Sequence, residues 1–368
     1  MSKVALASAL DLARSSTRSR FRLGYRPELD GLRGIAVILV MLSHSGIARG
    51  GFIGVDIFFV LSGFLITALL LEEYDREGHV NLKKFYIRRA LRLLPALYLL
   101  LAVFAVFALV TKQGHDLTKA ARSALFCFLY VADYAKALGF TTLGELGHIW
   151  SLAVEEQFYL VWPLLLICML KLVSRRKTLG VIVLLIAGIA VQRSLLWDGS
   201  EQKATRISFA FDTRMDALLV GCAIGLLAEW GHLAVSRGGV RLLRALGLVC
   251  IAPLAVKAAS NPGILDSRGL AYTSLLIQAL LIGVVVAGVL VSPQTKVVRV
   301  LKIPALVWVG RVSYGLYLWH YLIVSVLKTL SLRYIVMLLM YFPLTVLATA
   351  SSFYLLETPC LKAKKRLG

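Results

Sequence analysis

Apolar residues along this chain gather into eleven runs, at about 34–48, 52–71, 91–110, 121–135, 149–170, 178–197, 215–230, 242–258, 269–291, 307–327 and 334–356. Windows of roughly 20 apolar residues are the signature of helices that cross a bilayer, whereas a membrane barrel is written in alternating strands of about 10 residues. No internal repeat and no Pro-rich or Gly/Ser-rich linker interrupts the pattern, which predicts a single all-α membrane domain. The run at 121–135 is the weak one: it is short for a span and has Arg122, Asp133 and Lys136 at its ends.

Charge decides how the runs are threaded. If 121–135 does not cross, one face receives 27 of the 41 Lys and Arg, including Arg33, the segment 72–92 and the terminal Lys362, Lys364, Lys365 and Arg366. Lys and Arg concentrate in cytoplasmic loops, so this parity is preferred over its alternative. The expected architecture is a bundle of about ten transmembrane helices with a re-entrant or surface helix at about 121–135 and both termini in the cytoplasm. A basic cytoplasmic arm would cover 1–27, the membrane domain 28–360 and a basic tail 361–368. Residues 1–27 lack an apolar leader region, so the first helix reads as a retained anchor. Composition agrees: 59% of the 368 residues are hydrophobic and the mean hydropathy is +0.79. In that setting the net charge of +21 reports topology and contact with membrane lipids rather than nucleic acid. The five cysteines lie in or beside apolar segments without metal-ligand spacing, so neither a disulfide nor a metal site is expected.

Against this apolar background, ionisable residues inside runs stand out, because a buried charge needs a partner or a purpose. Arg33 and His44 are eleven residues apart, about three turns and 16 Å along one helical face. The spacing predicts a cation at the cytoplasmic edge below an imidazole near mid-bilayer. Arg88, Arg89 and Arg92, followed by Pro95, form a cationic patch at the entry to the third run, and guanidinium forks suit phosphates. Glu155 and Glu156 enter the membrane from the opposite face, followed by Tyr159. Adjacent helical residues diverge by about 100°, so the two glutamates serve different partners, a histidine for one and an arginine for the other. Asp56 follows a glycine-rich reversal and is placed to hydrogen-bond His44. Asp212 and Arg214 lie at an outer helix start with Asp216, where dipole stabilisation is a sufficient account. His320 stands in an aromatic stretch whose belt role accounts for Trp319 but not for a histidine. Glu357 is expected to pair with a cytoplasmic arginine.

Taken in order, these segments resemble the acyltransferase-3 family of bacterial membrane O-acyltransferases. The resemblance is carried by Glu28 to His44, Gly51 to Phe64, Phe85 to Pro95, Trp150 to Pro163, Asp212 to Gly221 and Ser313 to His320. It implies a helical bundle in the bacterial inner membrane that moves an acyl group, most simply acetyl, from cytoplasmic acyl-CoA to a hydroxyl of a surface or secreted glycan or lipid-linked sugar. Acyl-CoA would be a co-substrate, with no resident cofactor. Carried over by motif, His44 resembles the family's essential histidine and Arg33 its companion arginine, while Arg89 and Arg92 resemble the pair implicated in donor handling. Asp56 or Glu155 would orient the imidazole; general-base and acyl-histidine routes both stay open. The rival readings are a proton-coupled exporter using His44 and the glutamates as a relay, and a structural anchor for glycan-synthesis partners.

Overall fold

The computed structural model describes residues 23–233, 236–260, 271–360 and 362. The basic arm up to residue 22 and all of the basic tail except residue 362 lie outside the described residues. Among those described there are helices and turns but no strand. The helices are α1 (Pro27–Ser45), α2 (Ile53–Glu77), α3 (Leu82–Thr111), α4 (Gly114–Phe128), α5 (Ala132–Ala137), α6 (Trp150–Leu172), α7 (Arg175–Leu196) and α8 (Glu201–Phe209). They continue as α9 (Phe211–Arg214), α10 (Asp216–Glu229), α11 (Arg237–Ala259), α12 (Ala271–Val291), α13 (Lys296–Leu301), α14 (Pro304–Arg311), α15 (Ser313–Thr329) and α16 (Tyr334–Ser352).

Among the described residues, seven helical stretches are long and apolar enough to cross a membrane: Arg49–Glu77, Leu82–Thr111, Trp150–Leu172, Arg176–Leu196, Arg237–Ala259, Ser274–Val291 and Tyr334–Cys360. Three other apolar runs fold differently from that simple picture. Helix α1 carries Glu28, Asp30 and Arg33 in its first two turns, and α10 has only 14 residues. The run at 307–327 breaks at Val312, leaving α15 with 17 residues. All three are shorter or more charged than a span that inserts on its own. The weak run at 121–135 also divides: α4 stops at Phe128, Tyr130 takes a positive φ of 54°, and α5 starts afresh at Ala132.

The core is organised around α2, most of which is buried. Its Gly63 lies against α10, where a Cβ would come within 1.9 Å of the Leu218 carbonyl oxygen; reciprocally, a Cβ on Gly221 would lie 2.0 Å from that of Val60. Only glycine permits this backbone approach, the membrane counterpart of small-residue helix packing. Helix α1 begins with Pro27 at its first turn and ends at Gly46, whose φ of 91° lets its N–H cap the Ser43 carbonyl. That cap fixes where the helix stops, one residue beyond His44. The imidazole therefore sits in the last turn of α1, nearer the helix end than the apolar run to 48 suggested.

Candidate active site

Two functional ends are joined by α1. At its N-terminal end a cavity of about 560 Å³ is lined by Arg33, Arg76, Arg88, Arg89 and Arg92, with Glu72 and Glu73 on the rim. Helix α3 brings Arg88, Arg89 and Arg92 to it, and α1 contributes Arg33 from the facing side. Arg88 is matched by Glu73 at 3.4 Å. Arg33, Arg89 and Arg92 are not: among the described residues no carboxylate lies within ion-pair distance of them. Arg33 reaches the Ser313 hydroxyl at 3.3 Å and lies 5.6 Å from the Phe58 ring centroid, and Arg89 lies over the Tyr159 ring at 3.5 Å with its Nε buried and unpaired. Three guanidiniums held together with no carboxylate at ion-pair distance have the chemistry to hold a polyanion. A second cavity of about 360 Å³ shares Arg33 and Arg92 with the first and widens it toward Asp30 and Arg311.

From Arg33 a slot of about 30 Å³ leads inward between Phe58, Phe59, Glu155 and Tyr317. Glu155 accepts a hydrogen bond from the Ser62 hydroxyl at 2.7 Å. The slot ends at Ser151 and Tyr317, whose hydroxyls are 2.5 Å apart; Tyr317 also donates to the His148 carbonyl at 2.9 Å. The Tyr317 ring is thus a partition, with Phe58 on one side and His148 and His320 on the other.

Beyond the partition lies the histidine end. His44 Nδ1 is 3.0 Å from His320 Nε2. The other ring nitrogen of His320, Nδ1, is 2.7 Å from the Tyr317 carbonyl oxygen and 3.1 Å from that of Leu316. Carbonyls only accept, so His320 Nδ1 carries the hydrogen and Nε2 of the neutral ring offers a lone pair. It accepts from His44 Nδ1–H, which leaves the lone pair of His44 on Nε2. Two imidazoles in such contact hold at most one positive charge. The pair is enclosed by Tyr321, 4.7 Å from His44 between ring centroids, and by Phe52 at 5.8 Å. His148 packs on His320 and Tyr321 and donates its Nε2–H to the Leu318 carbonyl at 3.1 Å.

The structure corrects the partners expected for His44. Asp56 does not reach it: Arg214 takes one carboxylate oxygen at 2.6 Å and the Gln278 amide the other. A buried guanidinium without a carboxylate would be far costlier than an imidazole without one, so Asp56 goes to Arg214. Glu155 bonds Ser62 instead of a histidine, and Glu155 and Glu156 both act electrostatically on Arg89. Asp212 binds Arg206 at 2.7 Å and Gln192 at 2.6 Å, and Asp216 pairs with buried Arg193 at 2.6 Å. These are real ion pairs rather than dipole effects. Glu357 accepts from the Ser352 hydroxyl rather than from an arginine. The sequence pattern does not single out Ser151, Tyr317 or the role of His148: Ser151 and Tyr317 lie inside the matching segments and His148 two residues before one, where a hydroxyl or a histidine gives no separate signal.

A family model described as an acyltransferase domain matches residues 26–357. The chain is 33% identical over 323 residues to the peptidoglycan O-acetyltransferase OatA of Listeria monocytogenes, covering 83% of this chain and 50% of that protein. It is 31% identical over 359 residues to a Staphylococcus aureus protein provisionally named an O-acetyltransferase, covering 93% and 58% respectively. With YrhL of Bacillus subtilis, provisionally named a peptidoglycan O-acetyltransferase, it shares 35% identity over 318 residues, 81% of this chain and 48% of that one. The chain spans about half the length of these curated relatives. No solved structure matches it.

Proposed function

We propose that this chain, which belongs to the acyltransferase-domain family, transfers an acetyl group from cytoplasmic acetyl-CoA to a glycan hydroxyl presented at the opposite face of a bacterial inner membrane. In this reading α1, α10 and α15 join the seven long helices to make ten crossings, with both termini cytoplasmic. The phosphates of the donor occupy the cavity at Arg33, Arg89 and Arg92. Its pantetheine arm runs from that cavity past Ser62 and Glu155 toward His44, a path that opens only when the Tyr317 ring swings aside and widens the slot. About 16 Å separates Arg33 from His44 along the helix, a span the arm bridges.

His44 acts as general base. Its Nε2 takes the proton of the acceptor hydroxyl as the hydroxyl oxygen bonds to the acetyl carbonyl carbon. The carbon–sulfur bond then breaks, and the proton passes from His44 to the leaving sulfur, releasing CoA as its thiol. His320 positions His44 and shares the charge while it lasts, the role an aspartate fills in a hydrolase triad. The observation that carries the reading is the 3.0 Å contact of His44 Nδ1 with His320 Nε2, with His320 locked by two carbonyls, because it directs the free lone pair of His44 outward.

The test is acetyl transfer by the chain in lipid nanodiscs, from labelled acetyl-CoA to peptidoglycan fragments. His44→Ala is expected to abolish transfer while leaving acetyl-CoA binding intact. Undiminished transfer in that variant overturns the assignment.

A further inference from the structure

The end of the bundle opposite the arginine cavity carries cations that its topology does not call for. By the expected threading that face holds few Lys and Arg, as outer loops do. Yet two lysines from different elements converge on His44. Lys328, in the last turn of α15, donates to the His44 carbonyl at 3.0 Å. Lys136, in α5, donates to the Gly147 carbonyl at 3.4 Å and lies over the Phe209 ring at 3.8 Å. Both act electrostatically on His44. Arg49 is exposed in the turn that follows α1.

Among the described residues, none of these three cations has a carboxylate within ion-pair distance. Three acids of the same face are already engaged. Glu145 is taken by Lys112 at 2.8 Å, Asp212 by Arg206, and Asp133 by the Gln157 amide and the Phe211 backbone N–H. Burial pushes the Lys136 ammonium down to about 8, so the site keeps a partly desolvated charge whose own element supplies no relief. The neighbouring surface is half-buried Phe52 and Tyr321, rings of the kind that line binding sites for organic ligands.

We infer that Lys136 and Lys328 bind a negatively charged group, a carboxylate or phosphate, on the glycan acceptor, and so present the neighbouring hydroxyl to His44. The inference rests on the acceptor-side placement of His44 proposed above and adds the chemistry of what arrives there. Arg49 widens the field that steers such an acceptor in. An uncharged glycan would leave both ammonium groups without a counter-charge beside the reacting pair.

Titration calorimetry on the full chain in nanodiscs of uncharged phosphatidylcholine tests this, since no anionic lipid then competes. The ligands are a neutral tetrasaccharide, the same sugar with a terminal uronic acid, and the same sugar with a terminal phosphate. At least one anionic form is expected to bind tenfold or more tightly than the neutral one, with an advantage that shrinks as salt rises. Which anion gains identifies the source of the charge. The K136Q/K328Q double variant is expected to cut the advantage below threefold, and K136R/K328R to retain most of it, which controls for folding. Equal affinity for all three sugars, no binding by either anionic form, or an advantage that survives in K136Q/K328Q overturns the inference. Failure of the wild-type chain to transfer acetyl from acetyl-CoA overturns the donor reading instead, and is measured separately.

Discussion

Replacing His320 by Ala removes the acceptor that holds His44 Nδ1–H and leaves the rest of the cluster in place. The lost interaction is a hydrogen bond that strengthens when His44 takes the proton, since its donor then becomes a cation. Hydrogen bonds to charged groups contribute about 1.5–3 kcal/mol. At 1.36 kcal/mol per decade this is roughly a 10- to 150-fold fall in kcat. The KM for acetyl-CoA should hardly move, because the arginine cavity lies at the other end of α1. His320→Gln retains an amide oxygen able to accept from Nδ1 and should recover part of the rate. The assay is steady-state transfer from labelled acetyl-CoA to peptidoglycan fragments in nanodiscs. A variant within twofold of wild type, or one whose acetyl-CoA KM rises at constant kcat, would refute the reasoning from tautomer to base.

Arg89→Ala and Arg92→Ala should each raise the acetyl-CoA KM about 10-fold or more while leaving kcat nearly unchanged, since each removes a charge-assisted contact worth roughly 1.5–3 kcal/mol; equilibrium binding of acetyl-CoA checks this. Asp56→Ala strands the buried Arg214 and should destabilise the protein by about 3–5 kcal/mol, read as a lower Tm in detergent, with activity falling only as folded protein is lost. Gly63→Ala forces a Cβ against the Leu218 carbonyl and should abolish correctly folded protein, measured by size-exclusion yield. Raising the pH through about 8 deprotonates Lys136, whose ammonium is depressed by burial. Binding of an anionic acceptor should therefore be full at pH 7 and weaken by pH 9, checked by calorimetry at both.

Which parts of this were legible beforehand follows from how far each signal travels along the chain. The arginines at 33, 89 and 92 announced themselves because guanidinium groups at the edge of apolar runs are costly wherever they end up, and the cavity gathers all three. His44 and His320 were each visible as an imidazole in an apolar run. That they touch was not, because 276 residues separate them and only the packing of α15 on α1 brings them together. Asp56 was misread for the same reason: a local hairpin pointed it at His44, while its true partners come from 158 and 222 residues away. Hydropathy found the runs but overextended α1, because Gly46 ends the helix through backbone geometry that an apolar count ignores.

The division between the apolar helices and those carrying the site has a physical consequence. Helices α7 and α11 are mostly exposed, with 17% of their apolar windows buried, as befits a lipid-facing sheath, whereas the window of α2 is 78% buried. The groups proposed to act at the site sit on α1 and α15, with Arg89 and Arg92 at the head of α3. Neither α1 nor α15 is long and apolar enough to be held in a bilayer alone. Such helices are stable only once their charges have found partners inside the bundle. The Asp56–Arg214–Gln278 network, which ties α2 to α9 and α12, is one place where that condition is met. Its carboxylate therefore serves the site by assembling it. That is why losing Asp56 should remove activity through folding, whereas losing His320 should remove it through rate.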